Sequence, residues 1–473
     1  MKNKLIRILC VCLAVPILCA AITGCSSSGN QAEKRTVETM EVEEADALSF
    51  DIIGGRDVMP ISGFVGPTTN LYCKDGYSFP DMLNDKYFQD LVDAGVNMVT
   101  YNQTYYGVIP TQTMRMLDLG EKYGIGMFVF DDGISQKLGE KMLTIDEIAE
   151  RMNNYANHPA FCGLHVVDEP SFSKFDYYNA ASDIEVYAPI YQMLAEIGVV
   201  AYNNLFPTYI TEDTSVYPEY LETFLSTCNV KYLSYDYYVF DEKPTVEDYF
   251  YNMSVVREKA DKYHIPFWTF IQAGSGWNDA EERFDTESYY PNEAQFDWNV
   301  NTCLAYGAKG IQYFPLIQPR HFAYAKSKEW DFERNGLIGA AGNKNRWYYY
   351  AQNINKQIAA VDEVLMNSVS KGVLLSGEQA VRDNKKSSCV IEGTSWRELK
   401  KVTGNALIGC FNYQGKTALY VVNYDMEYAQ EIQLDFQDEC KVSVIQNAEK
   451  NYYSGNGIKL NMQAGEGSLI VFE

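Results

Sequence analysis

The chain has 473 residues, 47% hydrophobic and 22% charged, which places it among globular proteins and excludes a disordered or fibrous one. Lys and Arg number 39 against 63 Asp and Glu, a formal net charge of −24. A chain this acidic is repelled by nucleic acid, so no nucleic-acid partner is expected.

Residues 1–24 read as a secretory signal. Lys2, Lys4 and Arg7 form a positive end, and Ile8 to Ala21 form an apolar run too short and wrongly flanked to span a membrane. Ile22-Thr23-Gly24-Cys25 resembles the bacterial lipobox, in which the signal is cut before the Cys and the Cys is lipidated. That resemblance implies a lipid-anchored protein at the cell surface or on a periplasm-facing membrane. Cys25 is then the lipidation site, and the anchor is the only contact with the membrane. Residues 25–50, Ser-rich at first and then mixed in charge, read as the lipidated Cys and a flexible tether.

From residue 51 to 370, short apolar runs alternate with amphipathic ones. The predicted strands are Ile61–Pro67, Val96–Gln103, Ile125–Gly133, Phe161–Pro170, Val199–Pro207, Val230–Phe240, Ile265–Ser275 and Lys309–Ile317. Helical patterns fall over Asp85–Gly95, Pro110–Tyr123, Thr144–Asn157, Ala188–Ile197, Val246–Tyr263, Glu293–Tyr306 and Asn343–Met366. Gly95, Gly124 and Gly307 stand where helices should close. This order predicts a (β/α)8 TIM barrel, because a doubly wound sheet would carry a Gly-rich phosphate loop after its first strand and none is present. From 371 to 473 the pattern turns to short alternating strands: Val373–Leu375, Ala406–Tyr413, Thr417–Tyr424, Glu431–Phe436, Lys441–Ile445, Gly457–Met462 and Ser468–Phe472. These predict a small antiparallel β-sandwich domain.

Four of the 11 Cys lie in residues 1–25, and the other seven are scattered without a Cys-x-x-Cys pair. That is neither a disulfide framework nor a zinc site. With four His in all, no metal and no cofactor are expected.

Barrel active sites lie at the carboxyl ends of the strands. Here those ends are polar: Tyr101 and Asn102 on the second strand, Asp131 and Asp132 on the third, Asp168 and Glu169 on the fourth, Asn203 and Asn204 on the fifth. Asp236 and Tyr238 follow on the sixth, Gln272 on the seventh, and Gln312 and Tyr313 on the eighth. Side chains alternate along a strand, so His165, Val167 and Glu169 share a face, and Pro170 ends the run. Glu169 is thereby placed at the mouth, as a proton donor to a glycosidic oxygen would be. Aromatic walls would keep it protonated.

Asp168-Glu169-Pro170 resembles the Asn-Glu-Pro that clan A glycoside hydrolases, such as (β/α)8 β-galactosidases and endo-glycanases, place at the end of strand 4. The run from Glu293 to Phe314 looks like the last helix and strand of such enzymes. The resemblance covers roughly residues 58–368 and implies that Glu169 is the general acid/base and that the substrate is a carbohydrate. It breaks at strand 7, where that clan carries a Glu nucleophile and this chain has Gln272. Glycoside hydrolysis needs a second carboxylate at about 5–5.5 Å for retention or roughly 6.5–9.5 Å for inversion. Asp236 is the first candidate, expected opposite Glu169 across the cleft, with Asp168, Asp131 and Asp132 in reserve. The neighbouring pair Asp168-Glu169 also suits substrate-assisted chemistry, in which one carboxyl orients an acetamido group and the other is the acid. Asp168, Tyr101, Asn102, Asp131, Asn203, Tyr238, Gln272 and Tyr313 are the expected substrate-binding groups. Trp268, Trp277, Tyr101, Tyr237, Tyr238 and Tyr313 are the aromatic candidates for stacking on sugar rings.

Two other readings stand beside the hydrolase. One is a non-catalytic glycan-binding surface lipoprotein with a degenerate site, suggested by Gln272. The other is a metal-dependent hydrolase with His165 and Asp168 as ligands, weakened by the absence of a His-x-His pair on the first strand.

Overall fold

The computed structural model describes residues 48–69, 73–74, 77–100, 110–131, 134, 144–176, 178, 182–240, 245–274, 277–278, 283–284, 290–318 and 335–473. Cys25, Tyr101, Asn102 and Asp132, and the side chain of Trp277, lie outside that description.

Each predicted strand segment up to residue 317 contains a strand. These are β1 (Ile61–Gly63), β2 (Met98–Val99), β3 (Gly126–Phe130), β4 (Phe161–His165), β5 (Val200–Tyr202), β6 (Leu233–Tyr235), β7 (Phe267–Gln272) and β8 (Ile311–Phe314). They form two four-stranded sheets, in the orders β1-β8-β7-β6 and β2-β3-β4-β5. Every pair within them is parallel. Backbone hydrogen bonds also cross between the sheets at both edges. Asn97 N–H donates to Ile61 O at 3.0 Å and Thr100 N–H to Gly63 O at 3.1 Å, while Leu205 N–H donates to Ser234 O at 2.9 Å.

A helix follows each strand: α1 (Asp85–Asp93), α2 (Pro110–Tyr123), α3 (Ile145–Met152), α4 (Ile184–Glu196), α5 (Tyr217–Cys228), α6 (Val246–Lys262), α7 (Glu293–Ala305) and α8 (Arg346–Ile358). Side-chain caps from Asn84, Thr144, Asp183, Thr245 and Asn292 start five of them by taking a free backbone N–H of the first turn. Gly95, Gly124 and Gly307 have positive φ where α1, α2 and α7 end. α5 is absent from the predicted helices, although Tyr217, Tyr220, Leu221, Phe224, Leu225 and Cys228 are buried at helical spacing along it. No helix among the described residues is long and apolar enough to cross a membrane.

Aromatic side chains fill the space between the two sheets. Phe50, ahead of β1, packs edge-on to Phe128 and Trp268, at 6.1 and 6.4 Å between ring centres. One layer higher, Phe64 lies within 6.2 Å of His165, Tyr202, Phe270 and Phe314. This upper layer is the floor on which the polar strand ends stand.

The remaining strands are β9 (Ser368–Ser376), β10 (Leu399–Thr403), β11 (Ala406–Tyr413), β12 (Lys416–Asn423), β13 (Gln430–Gln446), β14 (Glu449–Met462) and β15 (Gly467–Phe472). The predicted sandwich of two sheets is corrected here: they form one antiparallel sheet in the order β9-β11-β12-β15-β13-β10, with β14 on β13. The physical reason is β13, predicted as two strands. An irregularity between Asp435 and Cys440 lets it pair with β10 through its first half and with β15 through its second. The sheet thus bends around its own apolar core, which includes Leu399, Ile408, Val421, Leu434, Val444 and Ile470. A six-residue helix, Glu378–Asp383, lies between β9 and β10.

The opposite face of this sheet packs on α7. Asn301 Nδ2 donates to Gly465 O at 2.9 Å, and its Oδ1 accepts from Tyr420 OH at 2.7 Å. Beside them on α7, Asp297 has a buried Oδ1 with no hydrogen-bond partner. Burial, with the Glu293 and Glu466 charges added, pushes its carboxyl up to about 8. A carboxyl raised on folding contributes stability that is complete below its unfolded value and lost as pH rises through the folded one. We therefore expect the thermal midpoint to fall between about pH 4 and 8. Asp297→Asn should match the wild type at pH 4 and exceed it at pH 8, by about 1–3 kcal/mol or a few degrees. Equal midpoints at pH 8 would reject this account of Asp297.

Candidate functional site

The carboxyl ends of β4, β5 and β6 bring together Asp168, Glu169, Asn204, Asp236 and Tyr238. Side-chain alternation explains the set. Tyr202 and Asn204 share one parity past β5, and Ser234, Asp236 and Tyr238 share one past β6. Asp236 and Asn204 are buried, and Asn204 Nδ2 donates to Asp236 Oδ1 at 3.1 Å. Glu169, Asp168 and Tyr238 are half-buried.

Glu169 has φ +47°, a left-handed conformation that a non-glycine residue adopts at a cost of about 1–3 kcal/mol. Its neighbours hold the turn in place. Glu169 N–H donates to Asn204 O at 3.0 Å, and Tyr220 OH donates to Pro170 O at 2.6 Å. The strain therefore aims this carboxyl, and the packing around it maintains the aim.

Burial raises Asp168 well above the ordinary carboxylate range, and the charge of Asp236 raises it further; Asn204 acts in the opposite direction. Although Asp168 as a residue keeps some accessible surface, its Oδ1 is sealed from solvent and has no hydrogen-bond partner. Burial also raises Asp236, while the Asn204 amide, and after it Glu169 and Tyr238, favour its charged form. Asp168 and Asp236 act on each other as buried carboxyls, and both cannot ionise cheaply. The Tyr202 hydroxyl is likewise buried without a partner. The arrangement can hold a proton near neutral pH beside a carboxylate.

Several expected site residues are placed elsewhere. Asp236 and Glu169, expected to face each other across the cleft, both meet Asn204, which accepts Glu169 N–H through its backbone carbonyl and donates to Asp236 through its side chain. Asn203 points away from its neighbour Asn204, and its amide is bound to the β6 backbone, with Tyr232 O and Ser234 N–H each at 3.0 Å. Gln272 Nε2 donates to Phe240 O at 2.9 Å and Gly274 O at 3.1 Å, and its Oε1 accepts from Phe240 N–H at 3.1 Å. It ties the end of β7 to the loop after β6. Asp131 is engaged by Arg151 at 2.6 Å and Tyr155 OH at 3.2 Å. Tyr313 faces the helices, stacked on Phe296 at 5.7 Å and donating to Asn355 Oδ1 at 2.6 Å.

Of the aromatic candidates whose side chains are described, Tyr238 alone faces the carboxyls. Trp268 is fully buried with its ring 4.2 Å from Tyr232, and Tyr237 packs on Tyr249. His165 stacks on Tyr202 at 4.3 Å, and burial pushes it down to about 3. Among the described residues no group of three His, Cys, Asp or Glu is placed to hold a metal ion. Asn204, not the expected Asn203, reaches Asp236, and parity with Tyr202 is the signal that separates the two.

No protein-family model and no curated protein sequence matches the chain. Among solved structures it is similar to a β-galactosidase from the psychrophilic Marinomonas ef1, at 10% identity and a TM-score of 0.46. That alignment covers 67% of this chain and 63% of the other, so this chain spans less than two thirds of that enzyme. It is similar to a GH27 β-L-arabinopyranosidase from Geobacillus stearothermophilus at 9% identity and a TM-score of 0.47, over 88% and 97% of the two chains. A GH51 arabinofuranosidase from Xanthomonas axonopodis pv. citri aligns at 8% identity and a TM-score of 0.43, over 91% and 98%.

Proposed function

We propose that the chain is a glycoside hydrolase built on a (β/α)8 barrel, cleaving O-glycosidic bonds of a poly- or oligosaccharide at the cell surface with Glu169 as general acid/base. One observation carries this reading: Asp168, Glu169 and Asp236 stand past the carboxyl ends of β4 and β6, linked through Asn204 past the intervening β5, half-buried to buried, above an aromatic floor. Hydrogen bonds between the two parallel sheets at both edges support closure of the barrel. In this reading Glu169 delivers a proton to the leaving oxygen. Asp236, stabilised as a carboxylate by Asn204 and Tyr238, balances the positive charge that develops on the sugar. Purified protein should release reducing ends from at least one member of a polysaccharide and aryl-glycoside panel, and Glu169→Gln should not. Glycan binding without cleavage by the wild type would favour the non-catalytic alternative.

A second reading is favoured by Asp168, whose buried Oδ1 has no hydrogen-bond partner. Direct displacement needs a second carboxylate about 5–9.5 Å from the acid. Substrate-assisted cleavage has no such requirement, because a 2-acetamido group on the sugar supplies the nucleophile. Asp168, with its unpartnered buried Oδ1, is then the group that orients it. Cleavage of aryl 2-acetamido-2-deoxyglycosides but not of the parent aryl glycosides is the outcome expected of this reading, and the reverse preference rejects it.

The lipid anchor is proposed at Cys25, because diacylglycerol transfer requires its thiol. Cys25→Ser should convert a membrane-associated, fatty-acid-labelled protein into an unlabelled one. Labelling that survives the substitution would remove the lipoprotein reading.

A further inference from the structure

A chain of hydrogen bonds crosses the space between the two sheets and ends on the carboxyl cluster. Gln312 Nε2, on β8, donates to Ser234 Oγ on β6 at 2.6 Å. Ser234 Oγ donates to Asn204 Oδ1 at 3.4 Å. Asn204 Nδ2 donates to Asp236 Oδ1 at 3.1 Å, and the Asn204 backbone carbonyl accepts Glu169 N–H at 3.0 Å. Gln312, Ser234, Asn204 and Asp236 are all buried.

The chain runs in one direction. Ser234 Oγ accepts a hydrogen bond from Gln312, so its own O–H is free to donate to Asn204, and the Asn204 amide is held with its NH2 toward the carboxyls. Asp236, at the end, is an acceptor, the role of a carboxylate. A buried amide fixed in this way acts as a preorganised dipole, with little reorientation left to it when charge moves nearby.

We propose that Asn204 is the positioning residue of the site: its amide, locked by the Gln312–Ser234 chain, sets where the proton rests among Asp168, Glu169 and Asp236, while its backbone carbonyl fixes the Glu169 turn. Among the described residues, the titratable groups around this cluster are Asp168 and Glu169 beyond β4, Tyr191 on α4, Tyr202 on β5, Tyr217 and Tyr220 on α5, Tyr232 just before β6, and Asp236 and Tyr238 beyond it, with Tyr209, after β5, near Tyr238. Asn204 favours the charged form of both Asp168 and Asp236, which burial disfavours. No catalytic contact with substrate is assigned to Asn204. The role in catalysis rests on the hydrolase reading, whereas the effect on the carboxyls does not.

The test uses the full chain with Asn204→Leu, Asn204→Gln and Ser234→Ala. Infrared titration of the protonated-carboxyl band reads the cluster without any substrate. In Asn204→Leu the band should persist to higher pH by about one to two units, the size of one hydrogen bond to a charged carboxyl. Ser234→Ala, which removes the lock but keeps the amide, should move it less and in the same direction. Asn204→Gln should restore part of the wild-type position. On any glycan that the wild type cleaves, the acid limb of kcat/KM should move alkaline in parallel. Should Asn204→Leu not fold, Ser234→Ala decides alone. A wild-type titration in every folded variant overturns the proposal. A wild type that cleaves no glycan, with a band that moves as described, defeats the hydrolase reading and leaves this one standing.

Discussion

Glu169→Gln lowers kcat on a natural glycan by about two to four orders of magnitude, the usual contribution of a general acid or base. The substitution keeps size and shape. The contacts that hold the turn, Glu169 N–H to Asn204 O and Tyr220 OH to Pro170 O, involve backbone atoms of residues 169 and 170 and survive it. The loss should therefore appear in kcat with an unchanged melting temperature. A glutamine cannot protonate the leaving oxygen, so the deficit should shrink on aryl glycosides whose leaving group needs little protonation. The alkaline limb of the wild-type pH profile, which reports loss of the acid's proton, should disappear with it. An equal deficit on good and poor leaving groups would assign Glu169 a different role, and full activity would remove it from the mechanism.

The strand–helix order was readable because its signals are local. Apolar runs of β-rich residues recur between amphipathic stretches, and glycines stand at Gly95, Gly124 and Gly307 where helices end. Asp168-Glu169-Pro170 was readable for the same reason, since the proline marks the end of the strand. What escaped the sequence depends on direction and on partners. Asn203 and Asn204 are one residue apart and chemically identical, yet they face opposite ways, and the phase of β5 decides which one reaches Asp236. Gln272 occupies a strand end where a catalytic carboxylate would be sought, but the nearby backbone of Phe240 satisfies its amide. Asp131 was equally plausible until Arg151 and Tyr155, 20 and 24 residues along the chain, claimed it. In the C-terminal part, alternation located most strands but not Leu399–Thr403, and it could not show that Gln430–Gln446 is a single bent strand. A bend of that kind is decided by pairing partners distant in sequence, which alternation does not record.

Asp236→Asn is the second large effect. Asparagine keeps an oxygen to accept from Asn204 Nδ2, so the hydrogen-bond chain from Gln312 need not break and the fold should hold. What disappears is the negative charge. Two consequences are expected together. First, hydrolysis should fall by about two to four orders of magnitude on good and poor leaving groups alike, because the lost charge serves the sugar cation and not the departing oxygen. Second, Asp168 should titrate nearer its ordinary value, since the Asp236 charge is one of the two causes that raise it. The shift has a definite sign: removing a neighbouring negative charge makes ionisation easier, so the protonated-carboxyl band should be lost at lower pH than in the wild type. Asp168→Asn separates the candidates for the second carboxylate. If Asp236→Asn stays active while Asp168→Asn is dead, the second functional carboxyl is Asp168, as the substrate-assisted reading requires of its orienting group. If both are dead, the two act on one proton and one developing charge, and the double variant should be no worse than either single one. If neither Glu169→Gln nor Asp236→Asn alters hydrolysis of any glycan that the wild type cleaves, the reaction occurs elsewhere on the chain.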